Sequence, residues 1–187
     1  MPTICNENIN IFLSHRRLDG EEITASICDT LNVLAPEKEC FRDIVNVNIG
    51  ENAQDVIDTA LVYSDVLVFF HTELSATSDW ILKEILYALI NNIPILWVKI
   101  GNPNIKSLKY MPSEKPHLEY LEEDFSNQET LNEIADQILD KSYEILLSKS
   151  DDVYDEMNCI TDLLNDKLEL VNDTKMIYSL SLPRKGY

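Results

Sequence analysis

Glycine is scarce in this chain of 187 residues: there are four, and none belongs to a GxGxxG or GxxxxGK(S/T) run. Rossmann-type dinucleotide binding and P-loop chemistry are set aside on that ground, since both need glycines where backbone closes on phosphate. Cysteine is equally sparse. Cys5, Cys28, Cys40 and Cys159 show neither a CxxC pair nor zinc-ligand spacing, and they read as reduced structural thiols, not as a disulfide scaffold. His15, His71 and His117 lack metal-ligand spacing, and no serine has a nucleophile-elbow context, so no metal centre is expected. Basic side chains are also few, 15 against 33 acidic, for a net charge of −18. Such a chain is a poor nucleic-acid binder, because phosphate contacts come chiefly from Lys and Arg, and anionic membrane surfaces repel it. Long apolar runs are missing too. The most apolar segment, Ile81 to Ile100, is broken by Lys83, Glu84, Asn91, Asn92, Pro94 and Lys99, so it does not span a bilayer. The first residues carry no basic stretch followed by an apolar one of signal-peptide length. These absences together lead us to expect a soluble, cytoplasmic protein with no nucleic-acid or membrane partner.

What is present suffices for a core: 45% of the residues are apolar, and the length suits one domain with a modest extension. The acidity is uneven. Residues 114–173 hold 18 acidic and 4 basic side chains, whereas the last fourteen residues carry three basic and no acidic ones.

Strands and helices alternate along the chain. Ile9 to Ser14 reads as a strand closed by a polar turn through Asp19-Gly20, followed from Glu21 by a helix with Ile23, Ile27, Leu31 and Leu34 at helical spacing, stopped at Pro36. Glu39 to Asp43 is a second strand. After a polar loop through Asn46, Asn48 and Gly50 comes a helix with Val56, Ile57, Ala60 and Leu61 on one face. The almost wholly apolar run Asp65 to Phe70 suits a parallel strand buried on both faces. Ser78 or Asp79 can cap the next helix, Ile93 to Val98 is a fourth strand, and His117 to Leu121 a fifth at an edge. A long amphipathic helix then uses Leu131, Ile134, Ala135, Ile138, Leu139, Ile145 and Leu146. The order predicts an α/β, flavodoxin-like, three-layer domain over residues 1–148 around a five-stranded parallel sheet. Residues 149–187 are left as an acidic, mostly helical C-terminal extension.

In open parallel sheets ligands bind beyond the carboxyl ends of the strands. That rule selects Ser14, His15, Arg16 and Arg17 after the first strand, Arg42 and Asp43 after the second, and His71, Thr72 and Glu73 after the third. Three arginines on one rim, beside a helix N-terminus, suit an anionic ligand, although arginines paired with surface carboxylates would look the same. Trp80 and Glu84 lie four apart on one helix and share a face. An indole beside a carboxylate offers a stacking platform and a hydroxyl acceptor, as an aromatic heterocycle on a ribose requires. Taken alone, however, Trp80 reads as a core residue and Glu84 as a solvated helix residue.

At these positions the sequence resembles the TIR (Toll/interleukin-1 receptor) domain family, particularly its stand-alone bacterial members. Ile11 to Gly20 is similar to the family's first box, with His15 where Tyr is common. Cys40-Phe41-Arg42-Asp43 and Ile49-Gly50-Glu51 resemble the second strand and BB loop, Asp65 to Phe69 the third strand, and Ser78 to Ile85 the Trp-x-x-x-Glu box of the catalytic branch. The likeness covers about residues 8–148. It implies cleavage of the nicotinamide–ribose bond of NAD, with NAD as substrate and no further cofactor. By the same resemblance Glu84 is catalytic, Trp80 stacks a ring, and Phe12, Ser14, His15, Arg16, Arg17 and Asp43 surround the substrate, with Arg42 on the rim. The BB loop, Ile44 to Asn52 with Val47, Asn48, Ile49 and Gly50, would close the site of a neighbouring copy through self-association. Likeness to the TIR subunit of Thoeris-type anti-phage systems implies an NAD glycohydrolase or ADP-ribosyl cyclase-like enzyme whose product signals to a separate effector. Two other readings stay open. A TIR adaptor or virulence module acting by contact alone needs neither a glutamate at position 84 nor the Arg16-Arg17 pair. A nucleoside deoxyribosyltransferase-like enzyme shares the sheet type and a catalytic carboxylate.

Overall fold

The computed structural model describes residues 9–35, 39–42, 59–75, 78–103 and 117–148, with residues 39–42 and 79 described by their backbone alone. Five strands form one parallel sheet: β1 (Asn10–Ser14), β2 (Glu39–Arg42), β3 (Val66–His71), β4 (Ile95–Ile100) and β5 (His117–Tyr120). Their spatial order is β2-β1-β3-β4-β5. Among the described residues the α-helices are α1 (Arg17–Leu34), α2 (residues 59–63), α3 (Asp79–Ile90) and α4 (Gln128–Leu147), with a short 3-10 helix at Glu122–Ser126. The three-layer α/β architecture expected from the alternation is the one observed.

The period of two along each strand divides the core. Ile11, Leu13, Val66, Val68, Phe70, Leu96 and Val98 face one layer, where they pack with Ile27 and Leu31 of α1 and Ile134 and Ile138 of α4. Phe12, Leu67, Phe69 and Trp97 face the other, against Leu61 of α2 and Ile81, Ile85 and Leu89 of α3. Every residue of β3 is buried, which explains why its sequence is apolar without alternation.

Several expected boundaries move. Asp19-Gly20 is not a turn, because α1 already starts at Arg17 and the Gly20 N–H donates to the Arg16 carbonyl at 2.8 Å. Gly20 is tolerated inside that first turn for a packing reason. A Cβ there would meet the His15 Cβ at 3.3 Å and Thr72 Cγ2 at 3.7 Å. The fourth strand runs over Ile95–Ile100, two residues later than its apolar run. Ile93 and Pro94 form the approach instead, with the Pro94 carbonyl accepting from the Leu67 N–H at 3.0 Å. The third strand extends through His71, and the fifth ends at Tyr120. Ser78 caps α3 by accepting from the Ile81 N–H. Helix α1 ends at Leu34, before Pro36, and α4 at Leu147. The polar loop through Asn46, the helical positions Val56 and Ile57, and the extension 149–187 lie outside the described residues.

Candidate functional site at the carboxyl end of the sheet

Parity places Ser14. It follows Phe12 by two, so its side chain shares the α3 face of the sheet, at the carboxyl end of β1. On α3, Glu84 lies three residues after Ile81 and four before Ala88, which puts it on the stripe that packs against the sheet. The two meet: Ser14 Oγ donates to Glu84 Oε2 at 2.6 Å, with Ser14 1% and Glu84 4% exposed. That separation suits a hydroxyl donating to a charged oxygen. A carboxylate in a hydrophobic stripe is costly without partners, so this hydrogen bond helps to hold Glu84 within the core-facing layer.

Around the pair, the chain between β3 and α3 is tied down by short polar side chains. The Thr72 N–H donates to Ser75 Oγ at 3.0 Å, the two hydroxyls lie 2.7 Å apart, and Ser75 Oγ donates to the Phe70 carbonyl at 3.2 Å. From α1, Asp19 Oδ2 accepts from the Leu74 N–H at 2.9 Å. This bond joins the start of α1 to the segment that leads into α3. Asp19→Ala is expected to cost about 1 kcal/mol and to speed amide exchange at Leu74, whereas Asp19→Asn retains most of the protection; hydrogen exchange read by NMR checks both.

The sequence-predicted residues separate. Ser14 and Glu84 are buried together at this end of the sheet, and His15, also buried, lies against Gly20. Trp80 is half-buried against the α3-side core, and the Lys83 ammonium lies over its indole, 5.9 Å from the ring centroid. Arg16 is half-buried and Arg17 exposed. Among the described residues neither forms an ion pair with a carboxylate. Arg17, however, lines a groove of about 1040 Å³ on the α1 side, together with Asp19, Glu21, Glu22, Glu122 and Glu123. That groove includes neither Ser14 nor Glu84, and its carboxylates disfavour an anion. Phe12 is fully buried in the core beneath Ser14, so in this conformation it presents no surface to a ligand. Arg42 pairs by its backbone with Leu13. Asp43, Val47, Asn48, Ile49 and Gly50 lie outside the described residues.

The Asp19–Leu74 and Thr72–Ser75 ties were not anticipated from sequence. A Thr-x-x-Ser step after a strand was the available signal, because such hydroxyls organise turns. A row of rings also crosses this face of the sheet. Phe69 and His71 stack at 5.6 Å, His71 and Trp97 lie at 5.3 Å, and Trp97 and His117 at 5.7 Å. Beside it, Glu119 pairs with both Lys99 and His117. Burial, with the nearby Lys99 charge, lowers the His71 pKa from 6.5 to about 4. The folded protein therefore refuses a proton that the unfolded chain accepts between those values, so this contribution is absent above pH 6.5 and destabilises as pH falls toward 4. His71→Gln is expected to flatten the decline of the thermal midpoint between pH 7 and 4.5, as followed by circular dichroism.

Among the described residues no group of three or more His, Cys, Asp or Glu is placed to hold a metal ion, and no helix is long and apolar enough to cross a membrane. No curated protein matches the chain. Among solved structures it is similar to the TIR domains of the activated Roq1 resistosome directly recognizing the pathogen effector XopQ, at 15% identity and a TM-score of 0.49, over 92% of this chain and 95% of that one. It is also similar to a conserved protein from Enterococcus faecalis V583, at 16% identity and a TM-score of 0.44, over 74% of this chain and 99% of that one. The sequence pattern of the TIR domain matches residues 11–139; the protein belongs to the TIR domain family.

Proposed function

We propose that this TIR domain is an NAD-cleaving enzyme in which Glu84 acts on the ribose that carries nicotinamide. The observation that carries this reading is the buried Ser14–Glu84 pair at the carboxyl end of β1, 2.6 Å between oxygens. A domain that works only by surface contact has no need of a carboxylate held in its core-facing stripe. Ser14 orients the carboxylate by engaging one oxygen. Glu84 would then accept hydrogen bonds from ribose hydroxyls and face the positive charge that develops as the glycosidic bond breaks.

The electron pair of the C–N bond leaves with nicotinamide, which departs neutral. No second carboxylate is needed as general acid. Trp80 is the stacking platform for the ring, and Arg16, with Arg42 as a further candidate, would take the pyrophosphate. Water attacking the ribose carbon gives ADP-ribose and releases a proton; an internal nucleophile gives a cyclic isomer, and another nucleophile a conjugate. Such a product would serve as a signal to a separate effector in anti-phage defence, and self-association through the BB loop would complete the site.

The test is incubation of concentrated protein with NAD and mass spectrometry of the small molecules. Nicotinamide should appear in equal amount to the NAD lost, with an ADP-ribose-derived partner. Intact NAD after incubation with folded, concentrated protein would sink the reading in favour of a contact-only module, and turnover of deoxynucleosides in its place would point to the transferase alternative.

A further inference from the structure

Helix α3 presents a third polar group beside Trp80 and Glu84. Lys83 precedes Glu84 by one residue and follows Trp80 by three, a spacing that brings side chains together on a helix surface. Its Nζ lies over the indole at 5.9 Å from the centroid. Lys83 is exposed, whereas Trp80 is half-buried and packs against the α3-side core. The indole is thus fixed by the core while the cation above it is free to swing away.

We propose that Lys83 is a built-in competitor for the Trp80 stacking surface, its ammonium holding the indole until a planar ring displaces it. The inference rests on the reading of Trp80 as the residue that stacks the nicotinamide ring. The exchange differs between substrate and product. A pyridinium replaces one cation by another and keeps the cation–π attraction. Neutral nicotinamide does not, so the ammonium regains the indole more readily after cleavage and helps to expel the product. An exposed ammonium–indole contact corresponds to a factor of about two to five in affinity. That is the size of the competition to be measured.

The experiment uses the full chain and the indole N–H signals of its two tryptophans in ¹H–¹⁵N spectra, with the Trp80 signal assigned from Trp80→Phe. Nicotinamide and 1-methylnicotinamide are titrated into the parent, Lys83→Met and Lys83→Arg proteins, at low salt and at high salt. Lys83→Met should bind both probes about two- to five-fold more tightly at either salt concentration. Lys83→Arg should bind both no better than the parent, since guanidinium stacks at least as well. In the free parent protein the Lys83 ε-methylene protons should be shifted upfield by the indole ring, and this shift should vanish in Trp80→Leu, which carries no ring at that position.

Equal affinity in the parent and Lys83→Met overturns the proposal. So does a gain for the cationic probe alone that disappears at high salt, because that is long-range repulsion and not competition for the ring. An unshifted ε-methylene signal overturns it as well. Binding of neither probe to any form removes the stacking role of Trp80 and the proposal with it, whereas Glu84-dependent cleavage of NAD would still stand on its own measurement.

Discussion

Glu84→Gln is expected to lower NAD cleavage by about 10²-fold or more while leaving the fold intact, since preorganised electrostatic groups of this kind contribute on that scale. The glutamine is isosteric, and its amide oxygen still accepts from Ser14 Oγ, so the buried hydrogen bond survives in neutral form. Stability should therefore change by only about 1 kcal/mol. The lost quantity is charge. An amide offers the developing oxocarbenium ion a dipole where the carboxylate offered a full negative charge, in a layer from which water is largely excluded. Paired thermal melts and nicotinamide release assays separate the two effects. A variant that melts like the parent and still cleaves at the parental rate would remove Glu84 from the mechanism.

Phe12→Ala is expected to cost about 3–5 kcal/mol of stability, or a thermal midpoint lowered by roughly 10 °C. The ring is 0% exposed and lies in the α3-side core with Leu67, Phe69 and Ile81, so its truncation opens a cavity directly beneath Ser14. The family resemblance assigns Phe12 to the substrate. The geometry makes it part of the core on the face that carries the Ser14–Glu84 pair. Phe12→Leu decides between the two: a core residue tolerates it at about 1 kcal/mol with KM for NAD unchanged, whereas a ligand contact would raise KM at nearly constant stability. Urea denaturation and steady-state kinetics on the two variants give the answer.

The sheet was legible because its strands differ in kind. The uninterrupted apolar run of β3 announced burial on both faces, and the polar stretches between elements marked the layer changes. Boundaries shifted where local signals competed with tertiary ones. Asp19-Gly20 has turn composition, yet the absent side chain of Gly20 is used to admit His15, not to turn the chain. At β4 the apolar residues Ile93 and Pro94 belong to the entry, because the register is set by pairing with β3 and not by hydrophobicity.

The pairing of Ser14 with Glu84 was only half legible. Helical spacing linked Trp80 to Glu84, but taken alone Glu84 read as a solvated helix residue, whereas it is buried on the stripe of Ile81, Ile85 and Ala88. Contact with a serine seventy positions away depends on sheet order and strand parity, which no local pattern carries. Arg17 shows the reverse failure. Proximity in sequence to Ser14 suggested a common rim, but the first turn of α1 carries it to a groove lined with carboxylates.

The most direct test of the account is nicotinamide formed per protein molecule, measured by mass spectrometry for the parent and Glu84→Gln side by side at high protein concentration with matched melting curves. The account predicts many turnovers for the parent and a loss of about 10²-fold in the variant. Equal nicotinamide from both proteins, or none from a folded parent, would contradict it.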